Sequence, residues 1–123
     1  MANRVVWVDI PVTNLERATR FYSAVIGKPV TTQSAPGFTF AVFPHDGPDV
    51  GGCLVPVGDG NVPSPAGPLV YLNVEGRMKE AVEAAKENGG RIVEAAHSIG
   101  PHGFRAVVID SEGNRIALHA PTL

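Results

Sequence analysis

The chain has one cysteine and one tryptophan in 123 residues, and no apolar run long enough to span a bilayer. A lone Cys53 excludes an internal disulfide and fits a reducing compartment. Val5-Val-Trp-Val8 is far too short for a membrane helix, and the opening Met-Ala-Asn-Arg runs into a strand pattern without a signal-peptide apolar region. A cytoplasmic location is expected. Positive charge is scarce and scattered. The formal net charge is −2, with no basic stripe to neutralise phosphates or follow an anionic membrane, so neither nucleic acid nor membrane is an expected partner.

What is present is a passage written twice. Trp7-Val-Asp-Ile-Pro-Val12, Leu15-Glu-Arg-Ala18 and Ile26-Gly-Lys-Pro-Val30 return as Leu69-Val-Tyr-Leu-Asn-Val74, Met78-Lys-Glu-Ala81 and Gly89-Gly-Arg-Ile-Val93. Matched positions lie 62 apart in the opening strands and 63 apart from Leu15/Met78 onward, so one inserted residue aligns the copies. A long period seen twice means two modules and not a solenoid. A hydrophobic content of 44% supports one compact domain over residues 1–123, with modules at about 4–55 and 69–119. Residues 56–68 are more than half Gly or Pro and join them as a linker.

Each module reads as a strand, a helix and three further strands, an α+β plan. Val6, Val8 and Ile10 alternate with Trp7, Asp9 and Pro11, so Trp7 and Asp9 share a strand face. Asn14 is a good N-cap for a helix with apolar positions at Leu15, Ala18, Phe21, Tyr22 and Val25, stopped by Gly27. Strands follow near Phe38–Phe43 and Val50–Val55. In the second copy Met78, Ala81, Val82 and Ala85 form the helical stripe, and Asn88-Gly-Gly90 ends it. Strands are expected near Arg91–Ile99, Phe104–Asp110 and Arg115–His119, with turns at Gly100-Pro-His-Gly103 and Asp110-Ser-Glu-Gly-Asn114.

Val12-Thr-Asn-Leu-Glu-Arg-Ala-Thr-Arg-Phe-Tyr22, the helix-closing Gly27 and Asp110-Ser-Glu-Gly-Asn-Arg-Ile116 resemble the signatures of the vicinal oxygen chelate superfamily. That group holds glyoxalase I, extradiol dioxygenases, and fosfomycin- and bleomycin-resistance proteins. The resemblance covers essentially the whole chain and implies two tandem βαβββ modules forming a cupped eight-stranded mixed sheet. It also implies metal ligands, typically His, Gln or Glu, on the first and last strands of each module. Here those places fall at Trp7, at Leu69, at Gly52 or Cys53, and at Ala117. Indole, leucine and alanine side chains cannot ligate a divalent cation, so no metal or other cofactor is expected at that site.

Strand alternation then suggests the lining of the cup. Trp7 and Asp9 come from the first copy, Leu69, Tyr71 and Asn73 from the second, and Arg115, Ala117 and His119 from the last strand, with Ile116 and Leu118 facing the helix. Aromatic area beside a few directional polar groups suits a small-molecule ligand, and an Arg there can pair with a carboxylate or phosphate. The plainer reading is that Trp7 and Tyr71 close a filled core, that His45, His97 and His102 are surface residues, that Arg105 is a solvated strand residue, and that Cys53 is a small buried hydrophobe.

Two functions are consistent with this pattern. One is a small-molecule-binding protein without the usual metal ligands. The other is a lyase or isomerase related to glyoxalase I, with His119 as acid/base and Arg115 or Tyr71 holding an oxyanion. A third variant relocates a metal to His97, His102 and His119. A homodimer is expected, because each open module leaves backbone edges and one sheet face to be covered.

Overall fold

The computed structural model describes residues 3–58 and 60–123; Met1, Ala2 and Asp59, the last within the expected linker, lie outside the described residues. Two βαβββ units follow one another. The first comprises β1 (Trp7–Val12), α1 (Leu15–Ile26), β2 (Thr31–Ala35), β3 (Phe38–Val42) and β4 (Gly51–Pro56). The second comprises β5 (Val70–Asn73), α2 (Met78–Glu87), β6 (Arg91–Ser98), β7 (Phe104–Ile109) and β8 (Arg115–Ala120), with a short 3-10 turn at Gly100–His102. The strands form two four-stranded mixed sheets, ordered β1-β4-β3-β2 and β5-β8-β7-β6, in which β1 runs parallel to β4 and β5 parallel to β8 while the other neighbours are antiparallel. The α+β plan and the two-module repeat expected from the sequence are therefore present. Among the described residues, no helix is long and apolar enough to cross a membrane.

Local chemistry accounts for these boundaries. The Asn14 side chain accepts from the Arg17 N–H at 3.0 Å and so satisfies one of the free donors at the start of α1. Gly27 ends α1 with φ of 79°, a left-handed conformation that a side chain disfavours. Phe21, Tyr22 and Val25 on α1, Met78 and Ala81 on α2, and Ile10, Leu54, Ile116 and Leu118 on the strands form one continuous core. The helices pack on each other and on one face of each sheet, which leaves the other two faces outward.

A polar clasp locks the modules together. The Tyr22 hydroxyl donates to Asp110 Oδ2 at 2.5 Å, and Asp110 also accepts from the N–H groups of Glu112 and Asn114. Glu112, two residues on, reaches the start of α1. Its carboxylate accepts from the Thr13 N–H (2.9 Å), the Asn14 N–H (2.8 Å) and Arg17 Nε (2.7 Å). Burial pushes the Glu112 carboxyl upward, but the bonds from Arg17, Asn14, Thr13 and Ser111 outweigh it and bring the pKa down from 4.5 to about 2.

A carboxyl depressed in the folded state adds stability that is complete above its unfolded value and is lost as pH falls through the folded one. Glu112→Gln should cost on the order of 2–3 kcal/mol at neutral pH. The deficit should narrow between the two values, about 4.5 and 2. Urea unfolding of both proteins at pH 7 and at acid pH measures this, and an equal deficit at every pH would refute it.

Candidate functional site

On the outward face of the first sheet, Trp7 and Asp9 lie side by side as strand alternation requires, and Trp7 Nε1 donates to Asp9 Oδ1 at 3.0 Å. In register, Asp9 lies opposite Cys53, so Cys53 rather than Gly52 occupies the last-strand place on this face. Its thiol donates to the same Asp9 oxygen at 3.2 Å. Trp7 lies over Gly51, where a Cβ would come within 2.7 Å of the indole, and the His45 ring stands edge-on to it at 5.9 Å. His45 is thus a neighbour of the indole and not simply a turn residue.

The outward face of the second sheet carries a denser polar group. Tyr71 pairs with Ala117, Arg105 with His119 and Val107 with Ala117 across adjacent strands, so all five share one side. Val107 and Ala117 are fully buried yet stand apart from the helix-side core, and they form an apolar floor beneath the longer side chains. Above them Arg105 Nη1 donates to the Tyr71 hydroxyl at 2.6 Å, and Arg105 Nε approaches His97 Nε2 at 3.4 Å. Glu94 lies 3.6 Å from Arg105, 3.6 Å from His97 and 3.9 Å from Arg115. His119 Nε2 bonds the His102 carbonyl at 2.6 Å, and its ring lies 6.1 Å from that of Tyr71. The hydrogen bond to Tyr71 holds the Arg105 pKa above its ordinary value.

Several sequence expectations change on this evidence. Trp7 and Tyr71 are 43% and 45% exposed, so they do not close a filled core. Arg105 is the hub of the polar group and not a solvated strand residue. Leu69 falls one residue before β5. Asn73 turns its side-chain oxygen to the Glu75 N–H at 2.9 Å and serves the β5–α2 turn. Within one chain, Trp7 and Asp9 stand on one sheet while Tyr71, Arg115, Ala117 and His119 stand on the other.

The residues at the usual ligand places do not fit a metal. Beside an indole, a leucine and an alanine, Cys53 alone offers a donor atom at those places, and its thiol is hydrogen-bonded to Asp9. Nor are His97, His102 and His119 gathered for a relocated metal: among the described residues no three His, Cys, Asp or Glu side chains are grouped to hold one.

Comparison with known proteins agrees with this geometry. The family model described as the Glyoxalase/Bleomycin resistance protein/Dioxygenase superfamily matches residues 4–118. A glyoxylase-like domain-containing protein from Didymella fabae is 31% identical over 126 residues, covering 90% of this chain and 88% of its own length. Among solved structures, a glyoxalase/bleomycin resistance protein from Albidiferax ferrireducens T118 superposes with a TM-score of 0.76 at 17% identity, over 96% of this chain and 98% of its own. The fosfomycin resistance protein FosX from Mesorhizobium loti superposes at 0.66 and 15% identity, over 100% and 96%. The chain belongs to the glyoxalase/bleomycin resistance/dioxygenase superfamily, also called the vicinal oxygen chelate superfamily.

Burial, followed by the hydrogen bond to Asp9, raises the Cys53 thiol from 9.0 to about 11. At pH 8 its thiolate fraction should therefore be roughly a hundredfold below that of the unfolded chain. Ellman's reagent should label the native protein slowly and the urea-unfolded protein rapidly. Equal rates would contradict the buried, hydrogen-bonded thiol.

Proposed function

We propose that this protein binds a small anionic, partly aromatic molecule over the Tyr71–Arg105–Arg115–His119 face, without recruiting the family's usual metal. The observation that carries this reading is the polar group itself. Among the described residues, two arginines share one carboxylate, Glu94, which leaves one of their positive charges unpaired above an apolar floor. A planar guanidinium bonded to a phenol suits a carboxylate or phosphate, and the Tyr71 ring offers area for an apolar body.

Homodimerisation belongs to the same proposal. Trp7, Tyr71 and Phe38 are exposed, and the two outward faces differ in character, one apolar with Asp9 and the other basic. A second copy laying its Trp7 face over the Tyr71 face would cover both and close a cup. Sedimentation showing a stable monomer at micromolar concentration would refute this.

One feature also supports a lyase or isomerase. The His119 Nε2–H donates to the His102 carbonyl, which leaves Nδ1 as the ring nitrogen available for proton exchange with a ligand.

Titration with benzoate, with neutral benzamide as control, tests the site. If the dimer closes the cup, benzoate should quench the fluorescence of Trp7, the only tryptophan in the sequence, and in either case Arg115→Ala should weaken benzoate by about 1–3 kcal/mol while leaving benzamide little changed. Equal losses for both ligands would exclude an ionic role for this arginine. His119→Ala separates the two functions: a binder loses affinity modestly, whereas an enzyme loses turnover by roughly two or more orders of magnitude.

A further inference from the structure

A second concavity lies between the modules, on the helix side of β1 and β5. This open cleft of about 620 Å³ is within the range of small-molecule sites. Its apolar wall is built by Val8, Ile26, Phe43 and Leu72. Trp7, Arg105, Arg115 and His119 do not line it, although Tyr71 contributes to its rim.

The repeat explains why this cleft is open. Val42 pairs with Cys53 in the first module and Val107 with Ala117 in the second, so the last strands correspond at a spacing of 64 and the strands before them at 65, the first module's turn being one residue longer. Asp110 therefore corresponds to His45 or Asp46, and Glu112 to Gly47 or Pro48. In the second module Glu112 reaches from the β7–β8 turn to the start of α1 and fills the space with a carboxylate. In the first module neither Gly47 nor Pro48 carries a carboxylate. The β3–β4 loop and the residues before α2 instead line the cleft.

The charges around it are unspent. Lys28 and Arg77 flank Gly27 at the end of α1, with the Arg77 guanidinium against Gly27 and Arg77 Nη1 donating to the Val25 carbonyl. Asp46 and Asp49 line the loop side, and Glu75 lies beside Arg77 in the chain. Among the described residues, none of these five forms an ion pair. An anion alone would meet the loop carboxylates, and a cation alone would meet Lys28 and Arg77.

We propose that the cleft binds a small zwitterion with an apolar body, an α-amino acid with an apolar side chain. Its carboxylate takes the role that Glu112 plays in the other half and faces Lys28 and Arg77. Its ammonium faces Asp46 and Asp49, and its side chain covers Val8, Phe43 and Leu72.

Calorimetric titration and amide chemical-shift mapping with L-phenylalanine test this, with phenethylamine lacking the carboxylate and N-acetyl-L-phenylalanine lacking the ammonium. L-phenylalanine should bind with a dissociation constant of about 1 mM or tighter and shift Val8, Phe43 and Leu72. Each analogue should bind roughly tenfold more weakly, as should L-phenylalanine to Lys28→Met or to Asp49→Asn, both exposed positions whose change spares the core. No binding up to about 10 mM, or equal binding of all three compounds, would overturn the proposal. So would shifts confined to Arg105 and His119, which would assign the binding to the open face.

Discussion

The clasp between Asp110, Glu112 and the first helix is the contact on which the rest of the molecule depends. It spans 88 residues of chain from Tyr22 to Asp110 and fixes α1 against the second module at two levels, through a buried hydroxyl and through the free donors at the helix start. Removing Glu112 would leave Thr13 and Asn14 N–H groups unpaired beside an unneutralised Arg17, which is more damaging than losing a surface ion pair. With the helices held together, each sheet has one face committed to the common core. The other face of each sheet is left outside that core.

The two free faces have diverged although their backbones repeat. On the first, the carboxylate of Asp9 is occupied by Trp7 and Cys53, which leaves a face of low charge. On the second, Ala117 and Val107 are small enough to let Arg105, Arg115, Tyr71 and His119 extend over them. The same strand position that holds Cys53 in one half holds Ala117 in the other, so neither half keeps a donor set for a divalent cation. Under the proposed function, recognition by this chain draws on hydrogen bonds, guanidinium charge and aromatic area.

Much of the architecture was legible in the sequence because helix stripes, caps and strand alternation obey fixed periods. Asn14, Gly27 and the Phe21/Tyr22/Val25 stripe bound α1 as they read, and the 62-residue echo from Asp9 to Tyr71 places both on outward faces. Glu94 and His97 escaped for a physical reason. The ladder between β6 and β7 shifts twice, between Ile92 and Glu94 and again before His97, so Glu94 sits opposite Val107 although strict alternation would put it with Ile92 on the helix side. Arg105 was hidden differently. Its role depends on Tyr71, 34 residues earlier, and no local pattern announces a contact between strands separated by β8.

The duplicated plan also shows how one substitution can redirect a whole region. Glu112 falls where the first module's turn, one residue longer, has Gly47 or Pro48; the glutamate draws its turn onto a helix start, and neither counterpart can accept a hydrogen bond through a side chain. Where the carboxylate is present, its charge is neutralised by Arg17 and backbone donors, and the space closes. Where it is missing, Lys28, Asp46, Asp49 and Glu75 border open space without ion pairs among the described residues, and the core stops at Val8 and Phe43. The turns of the two halves thus do different things. The second module's turn holds the fold together, and the absence of its counterpart leaves the first module's turn free to border a cleft.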